Sequence, residues 1–167
     1  MILKTERLTI RHFTMADCEM AEEYLSDSRT MRFVEPPYDR RRTRSFVFRQ
    51  CGDKPAVYPM LLRESGELIG HVIFHEYDHP QVYELGWVLG SRYWRQGYAE
   101  EAGRALISLA FEKMGLHRLF AETLEENEAC RALLEKLGFE REGVLRSAAR
   151  GPYGWEDLYL YGAVNSQ

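Results

Sequence analysis

No stretch of this chain approaches the roughly 18 consecutive apolar residues that a membrane span requires, and a lysine already stands at position 4. Neither a leader nor a membrane anchor is expected. Cysteine is scarce: Cys18, Cys51 and Cys130 are scattered and odd in number. Without paired spacing they suit neither a zinc site nor a disulfide framework, so no metal is expected and a reducing cytoplasm is the natural setting. An excess of one charge is missing too. The 22 basic and 26 acidic residues leave a net charge of −4, which makes a nucleic acid unlikely as the bulk partner. Internal repeats and low-complexity tracts are also absent.

With 167 residues, 29% charged and 45% apolar, the chain is long enough for one domain, residues 1–167, to bury roughly two-thirds of its unfolded surface. Residues 83–114 organise it. A short apolar strand (83–89) meets a tight loop (90–98) and then a helix running to Gly115. In that helix Ala99, Ala102, Leu106, Leu109 and Ala110 form one stripe, and Ile107 and Phe111 a second, so it should lie against a sheet. The joint between loop and helix carries the functional signal. A helix start has unpaired N–H groups and a partly positive dipole end, which together attract a phosphate. Gly97 would let an anion approach the backbone with no Cβ in the way. The same spacing also describes an ordinary helix start, with Glu100 and Glu101 complementing the dipole.

The flanking elements follow from periodicity. Residues 3–12 read as a first strand with Leu8 and Ile10 inward. Thr14 and Asp17 resemble a capping box opening a helix that turns Met20, Ala21, Tyr24 and Leu25 inward. After Pro36-Pro37, Asp39 should cap a second helix carrying Arg40, Arg41, Arg42, Arg44 and Arg49. Those arginines are either a grip for an acidic substrate, RNA or a cofactor phosphate, or a solvated helix face. Strands at 57–63 and 68–77 flank the Ser65-Gly66 turn, and the strand ending at Leu89 completes an antiparallel meander. Next come a strand at 119–124, a helix at 127–137 closed by Gly138, and strands at 139–145 and 158–164. The fold class is therefore α+β, with about four helices on a mixed twisted sheet of about six or seven strands. The helical crossover from Leu89 to Leu119 makes its two strands parallel.

Three segments, in order, resemble the GNAT N-acetyltransferase superfamily. They are Trp94-Arg95-Gln96-Gly97-Tyr98-Ala99-Glu100-Glu101-Ala102, Asn127-Glu128-Ala129-Cys130, and the run from Leu134-Glu135-Lys136-Leu137-Gly138-Phe139 to Val144. The opening Thr5-Glu6-Arg7-Leu8-Thr9-Ile10-Arg11 is most like the branch of ribosomal-protein N-terminal acetyltransferases. The resemblance covers nearly the whole chain. It implies a GNAT-like fold with a splayed parallel strand pair and acetyl-CoA as co-substrate. The pantetheine arm would lie along Trp87, Val88 and Leu89, and the pyrophosphate on the N–H groups of Arg95, Gln96, Gly97, Tyr98 and Ala99. Asn127 would contact the cofactor's amides, although Asn is equally a favoured N-cap.

The implied activity is transfer of an acetyl group to a primary amine, either a protein N-terminal α-amine or a small-molecule amine. The amine would attack directly in a ternary complex, with the oxyanion met by an N–H near Val88. Glu84 is the first candidate for the base, followed by His75 and Glu122. Phe33, Glu35 and Tyr38 are candidates for contacts to the acceptor, and segments 36–44 and 146–155 should set its pocket. The chain departs from the family pattern at four places. Trp94 holds the first position of the phosphate motif, and Arg95 stands where the branch commonly has glycine. Leu134 occupies the place of a tyrosine acid. Cys130, where this branch has serine, is a weaker donor in its place or else a small core residue. These departures keep open an alternative: a non-catalytic CoA-binding module or sensor. Superfamily members are often dimers, and Tyr153, Trp155, Tyr159 and Tyr161 would supply either a homodimer interface or strand packing.

Overall fold

Among the described residues eight strands share one sheet: β1 (Leu3–Lys4), β2 (Leu8–Ile10), β3 (Val57–Leu62), β4 (Leu68–Glu76), β5 (Val82–Leu89), β6 (Arg118–Leu124), β7 (Glu140–Gly151) and β8 (Gly154–Val164). The structure is a computed structural model that describes residues 3–151 and 154–165. Strand order is β1-β2-β3-β4-β5-β6-β8-β7, with β5–β6 parallel and the other pairs antiparallel. Among the described residues four α-helices accompany the sheet: α1 (Cys18–Leu25), α2 (Arg40–Gln50), α3 (Tyr98–Ser108) and α4 (Glu128–Lys136).

The α+β class, the helix count and the parallel pair agree with the sequence reading, and the strand count exceeds it. Residues 3–12 are not one strand. Thr5 turns the chain: its N–H donates to the Leu8 carbonyl at 3.0 Å, and its hydroxyl accepts from the Leu8 N–H at 3.0 Å. Leu3 then pairs with Ile10, and Lys4 with Thr9. β7 and β8 also run further than expected. Their outer halves form a ribbon in which Leu145 and Trp155 are exposed, so no apolar alternation marks them. Tyr159 and Tyr161 are strand packing in the core, Trp155 lies under the Arg150 guanidinium, and Tyr153 is outside the described residues. The long helix also ends sooner. After Ser108 the chain widens into a π-turn (Leu109–Lys113), with the Met114 N–H donating to the Leu109 carbonyl.

Two cores sandwich the sheet. On one face Leu8, Ile10, Met60, Val72, Leu85 and Leu119 pack with Ala102 and Leu106 of α3 and Leu134 of α4. On the other, Ala21, Tyr24 and Leu25 of α1 and Phe46 and Val47 of α2 cover Val57, Leu61, Leu68 and Val88. Each large side chain fully buried here contributes about 1.5–3 kcal/mol, so the two faces hold β4 and β5 rigidly between helices. The caps hold as the sequence implies. Asp17 accepts from the Thr14 N–H at 2.8 Å and also takes a two-pronged contact from Arg11 at 2.7 and 2.8 Å. Asp39 accepts from the Arg42 N–H at 2.7 Å.

One buried polar pair joins α1 to the sheet beneath the site. His71, paired with Val88 across β4–β5, has its Nδ1 2.8 Å from the Tyr24 hydroxyl and its ring 5.4 Å from that of Phe46. Burial pushes its imidazole down to about 3, against about 6.5 in an unfolded chain. Between those values the unfolded chain binds a proton that the folded chain refuses. Stability is therefore fully present above about pH 6.5 and falls as pH drops toward 3, with roughly 2 kcal/mol lost by pH 5 from this group alone. Urea midpoints at pH 7.5 and pH 5 should show that loss, and His71→Gln should flatten the slope; an unchanged slope in the variant would contradict the assignment.

Candidate active site

The parallel ladder between β5 and β6 is short. Val82 pairs with Arg118, Tyr83 with Leu119 and Glu84 with Phe120. Beyond that point β5 stays paired with β4 as far as Leu89, and β6 with β8 as far as Leu124, but not with each other. The two strands fork. A Cβ added at Gly70 of β4 would lie 2.2 Å from the Val88 carbonyl oxygen, so that carbonyl is turned toward β4. In a trans peptide the next N–H points the opposite way, which aims the Leu89 N–H into the fork. Gly70, at φ +157°, permits this close approach of the two strands.

The loop after β5 ends in a nest of donors. Gly97, the N-cap of α3, is left-handed at φ +82°. Arg95 is also left-handed, at φ +60°, a conformation uncommon for a side-chain-bearing residue. That explains why glycine suits this position in the resembled branch. Here the loop keeps its shape with an arginine. The backbone N–H groups of Arg95, Gln96, Gly97, Tyr98, Ala99 and Glu100 donate to no acceptor among the described residues, and the first bond of the turn is from the Glu101 N–H to the Gly97 carbonyl at 3.0 Å. Six consecutive free donors at a helix start are an anion site in waiting.

Contacts that the sequence reading did not anticipate hold this loop in place. Glu101 accepts from the Thr5 hydroxyl at 2.5 Å, the Arg7 N–H at 2.8 Å and Arg7 Nε at 2.6 Å. The Arg7 Nη1 donates to the Gln96 carbonyl at 2.9 Å, and its guanidinium lies 4.4 Å from the centre of the Tyr98 ring. Trp94 reaches back: its indole N–H donates to the Leu89 carbonyl at 2.7 Å, tying the loop to the end of β5. Ser91 is bound from the other side, its hydroxyl donating to Asp27 at 2.6 Å and its N–H to the Thr30 hydroxyl at 2.9 Å. No local sequence pattern marks the Thr5, Arg7 and Ser91 contacts, because each spans tens of residues.

Three titratable groups gather beside the fork. Glu84 of β5 and His75 of β4 are cross-strand partners, with Nε2 3.0 Å from the Glu84 carboxylate and Nδ1 donating to the Glu76 carbonyl at 2.8 Å. With an acceptor at each ring nitrogen, His75 favours the imidazolium, and its pKa is raised chiefly by Glu84. Glu122 of β6 lies two residues beyond Phe120, the partner of Glu84. Its pKa is raised by desolvation first and by repulsion from Glu84 second. The base candidates thus stand together, but the Glu84 carboxylate is already engaged.

α4 begins at the open end of β6. The Asn127 carboxamide oxygen caps the helix, accepting from the Cys130 N–H at 3.2 Å, and its amide nitrogen has two donors to spare. Burial pushes the Cys130 thiol up, which keeps it protonated near neutrality. Leu134 is 1% exposed in the core, so no hydroxyl stands in its place. Of the acceptor candidates, Tyr38 packs against Phe46 in the second core, its hydroxyl donating to Glu35, which also binds Arg42. The Arg32 guanidinium lies 4.9 Å from the ring of Phe33. Arg40 pairs loosely with Glu19 and Glu22, and Arg41, Arg44 and Arg49 are exposed. Among the described residues no group of three or more His, Cys, Asp or Glu could hold a metal ion, and no helix is long and apolar enough to cross a membrane.

Known proteins carry the same architecture. The acetyltransferase (GNAT) domain matches over residues 7–140. The chain is 34% identical to the uncharacterized N-acetyltransferase YnaD of Bacillus subtilis (strain 168), covering 100% of this chain and 99% of that one. The crystal structure of a GNAT-family acetyltransferase from Bacillus anthracis superposes with a TM-score of 0.93 at 36% identity, covering 100% of both chains. The ribosomal-protein-S5-alanine acetyltransferase of Vibrio fischeri shares the fold, with a TM-score of 0.80 at 21% identity over 100% of this chain and 98% of that one. With the fork, the donor nest and a match across most of its length, the chain belongs to the GNAT family of acetyl-CoA-dependent acyltransferases.

Proposed function

We propose that the chain acetylates a primary amine, either a protein N-terminal α-amine or a small-molecule amine, by direct attack on acetyl-CoA in a ternary complex. The observation that carries this is the alignment of two openings: six free N–H groups at the start of α3 and the forked edge of β5 leading away from them. The first suits the diphosphate of CoA and the second its pantetheine arm, with backbone groups of Trp87 and Leu89 and the Asn127 amide meeting the arm's amides. Val88 anchors the strand in the core below.

In this reading the acceptor nitrogen attacks the thioester carbon, the C–S bond breaks, and the electron pair leaves with sulfur. The Leu89 N–H meets the developing oxyanion. Glu122 takes the ammonium proton of the acceptor, since a carboxyl with a raised pKa is a stronger base near neutrality. Desolvation first, and repulsion from Glu84 second, raise it. Cys130 stays protonated and can hand a proton to the departing thiolate. A CoA thiolate leaves readily, with a thiol pKa near 8.5, so a weak acid suffices. In this reading Glu35, Tyr38 and Phe33, on the segment between α1 and α2, border the acceptor.

CoA thiol release, followed with a thiol dye across a panel of amines and peptides, tests the reading. CoA at a hundredfold excess over Kd should stabilise the fold by about 2.7 kcal/mol. Gly97→Glu should abolish that stabilisation by placing a charge and a Cβ in the anion site. Stabilisation by CoA without thiol release from any acceptor would instead support the non-catalytic module. Glu122→Gln should lower kcat about a hundredfold and remove the acid limb of the kcat/KM profile; retention of both would return the role of base to Glu84.

A further inference from the structure

The cluster joining the N-terminal hairpin to the donor nest reaches beyond loop support. Arg7 lies just before β2, far in sequence from Gly97, yet its guanidinium stands against the nest. Nε donates to Glu101 at 2.6 Å and Nη1 to the Gln96 carbonyl at 2.9 Å. The flat face covers Tyr98 at 4.4 Å, and Nη2 is 3.3 Å from the point where a Cβ on Gly97 would stand. A guanidinium has five N–H donors, and two of these are used. The other three meet no acceptor among the described residues, and both Nη2 hydrogens are among them. Arg7 keeps a side-chain exposure of 42%, while its anchor Glu101 is at 17%. A largely buried carboxylate therefore fixes an arginine whose spare donors border the same space as six unpaired backbone N–H groups.

We infer that Arg7 is a direct ligand of the CoA diphosphate, closing the backbone nest with a guanidinium delivered from the N-terminal hairpin. Glu101 is then a positioning residue: it holds Nε and the Arg7 backbone, leaving Nη2 for the anion. The geometry accounts for two features. Gly97 carries no side chain beside Nη2, where any Cβ would crowd the guanidinium. An acidic residue in the first turn of a helix would repel an anion at its N-terminus, yet Glu101 is turned onto Arg7 and Thr5, so its charge is spent away from the site. The inference rests on the proposed CoA reading and adds the residue that supplies the formal positive charge.

The test is isothermal titration of CoA and dephospho-CoA into wild type, Arg7→Met and Arg7→Lys at several salt concentrations. The methionine keeps apolar contact with Tyr98 and removes every donor; the lysine keeps the charge and ensures a readable variant if the first fails to fold. Wild type binding neither ligand would defeat the CoA reading itself. Given binding, Arg7→Met should weaken both ligands equally, by about thirtyfold, and flatten the salt dependence of log Kd, with Arg7→Lys in between. A loop shaped by Arg7 without contact to the anion would lose affinity with no change in salt dependence, which would overturn the assignment. Unchanged affinity would overturn it too, as would a loss confined to CoA, which would put the contact at the 3′-phosphate.

Discussion

The molecule depends on a parallel strand pairing that stops early. β5 and β6 register at three residue pairs and then separate, each kept by its other neighbour. Unpaired peptide groups at such an edge are costly if buried and available if open. The fork leaves that edge open, and in the proposed reading an amide-bearing arm completes the ladder that β6 abandons. Gly70 makes the arrangement possible on the other side of β5 by letting the Val88 carbonyl approach within a distance no side chain would allow. The His71–Tyr24 pair and the apolar faces of α1 and α2 then keep β4 and β5 from relaxing.

Preorganisation continues into the loop. Trp94 holds the Leu89 carbonyl, Ser91 is tied to Asp27 and Thr30, and Glu101 gathers Thr5 and Arg7. Single exposed ion pairs contribute little, but this network carries few groups free to move independently, and it draws on four separate parts of the chain. An anion arriving at Gly97 meets donors already in place, so little ordering remains to oppose binding. The same network links the segment carrying Glu35 and Tyr38, through Asp27 and Thr30, to the loop that would hold the diphosphate.

Much of this was legible beforehand. The α3 stripe, the Asp39 and Asn127 caps and the parallel crossover all follow from periodicity and capping chemistry, which are local. Gly97 and the run after it were readable because a helix start advertises its free donors. Most of what stayed hidden was long-range. Arg7 looked like an outward strand residue, and nothing near it in sequence points to Glu101. Trp94 looked like a departure from the motif until its indole was seen to satisfy the Leu89 carbonyl. Residues 3–12 read as one strand because Leu8 and Ile10 alternate with Arg7, Thr9 and Arg11, and the hairpin shows only in the bonds between Thr5 and Leu8. The outer ribbon of β7 and β8 escaped notice because it buries too little to impose a pattern.

The central claim is that the free amides at the start of α3 hold the CoA diphosphate while the β5 edge holds its arm. Amide-resolved NMR of the labelled protein, titrated with CoA, addresses it directly. The account predicts that the N–H signals of residues 95–100 and of Leu89 shift together with one saturation curve and gain protection from hydrogen exchange. Shifts clustered elsewhere, with residues 95–100 unmoved at saturation, would contradict it.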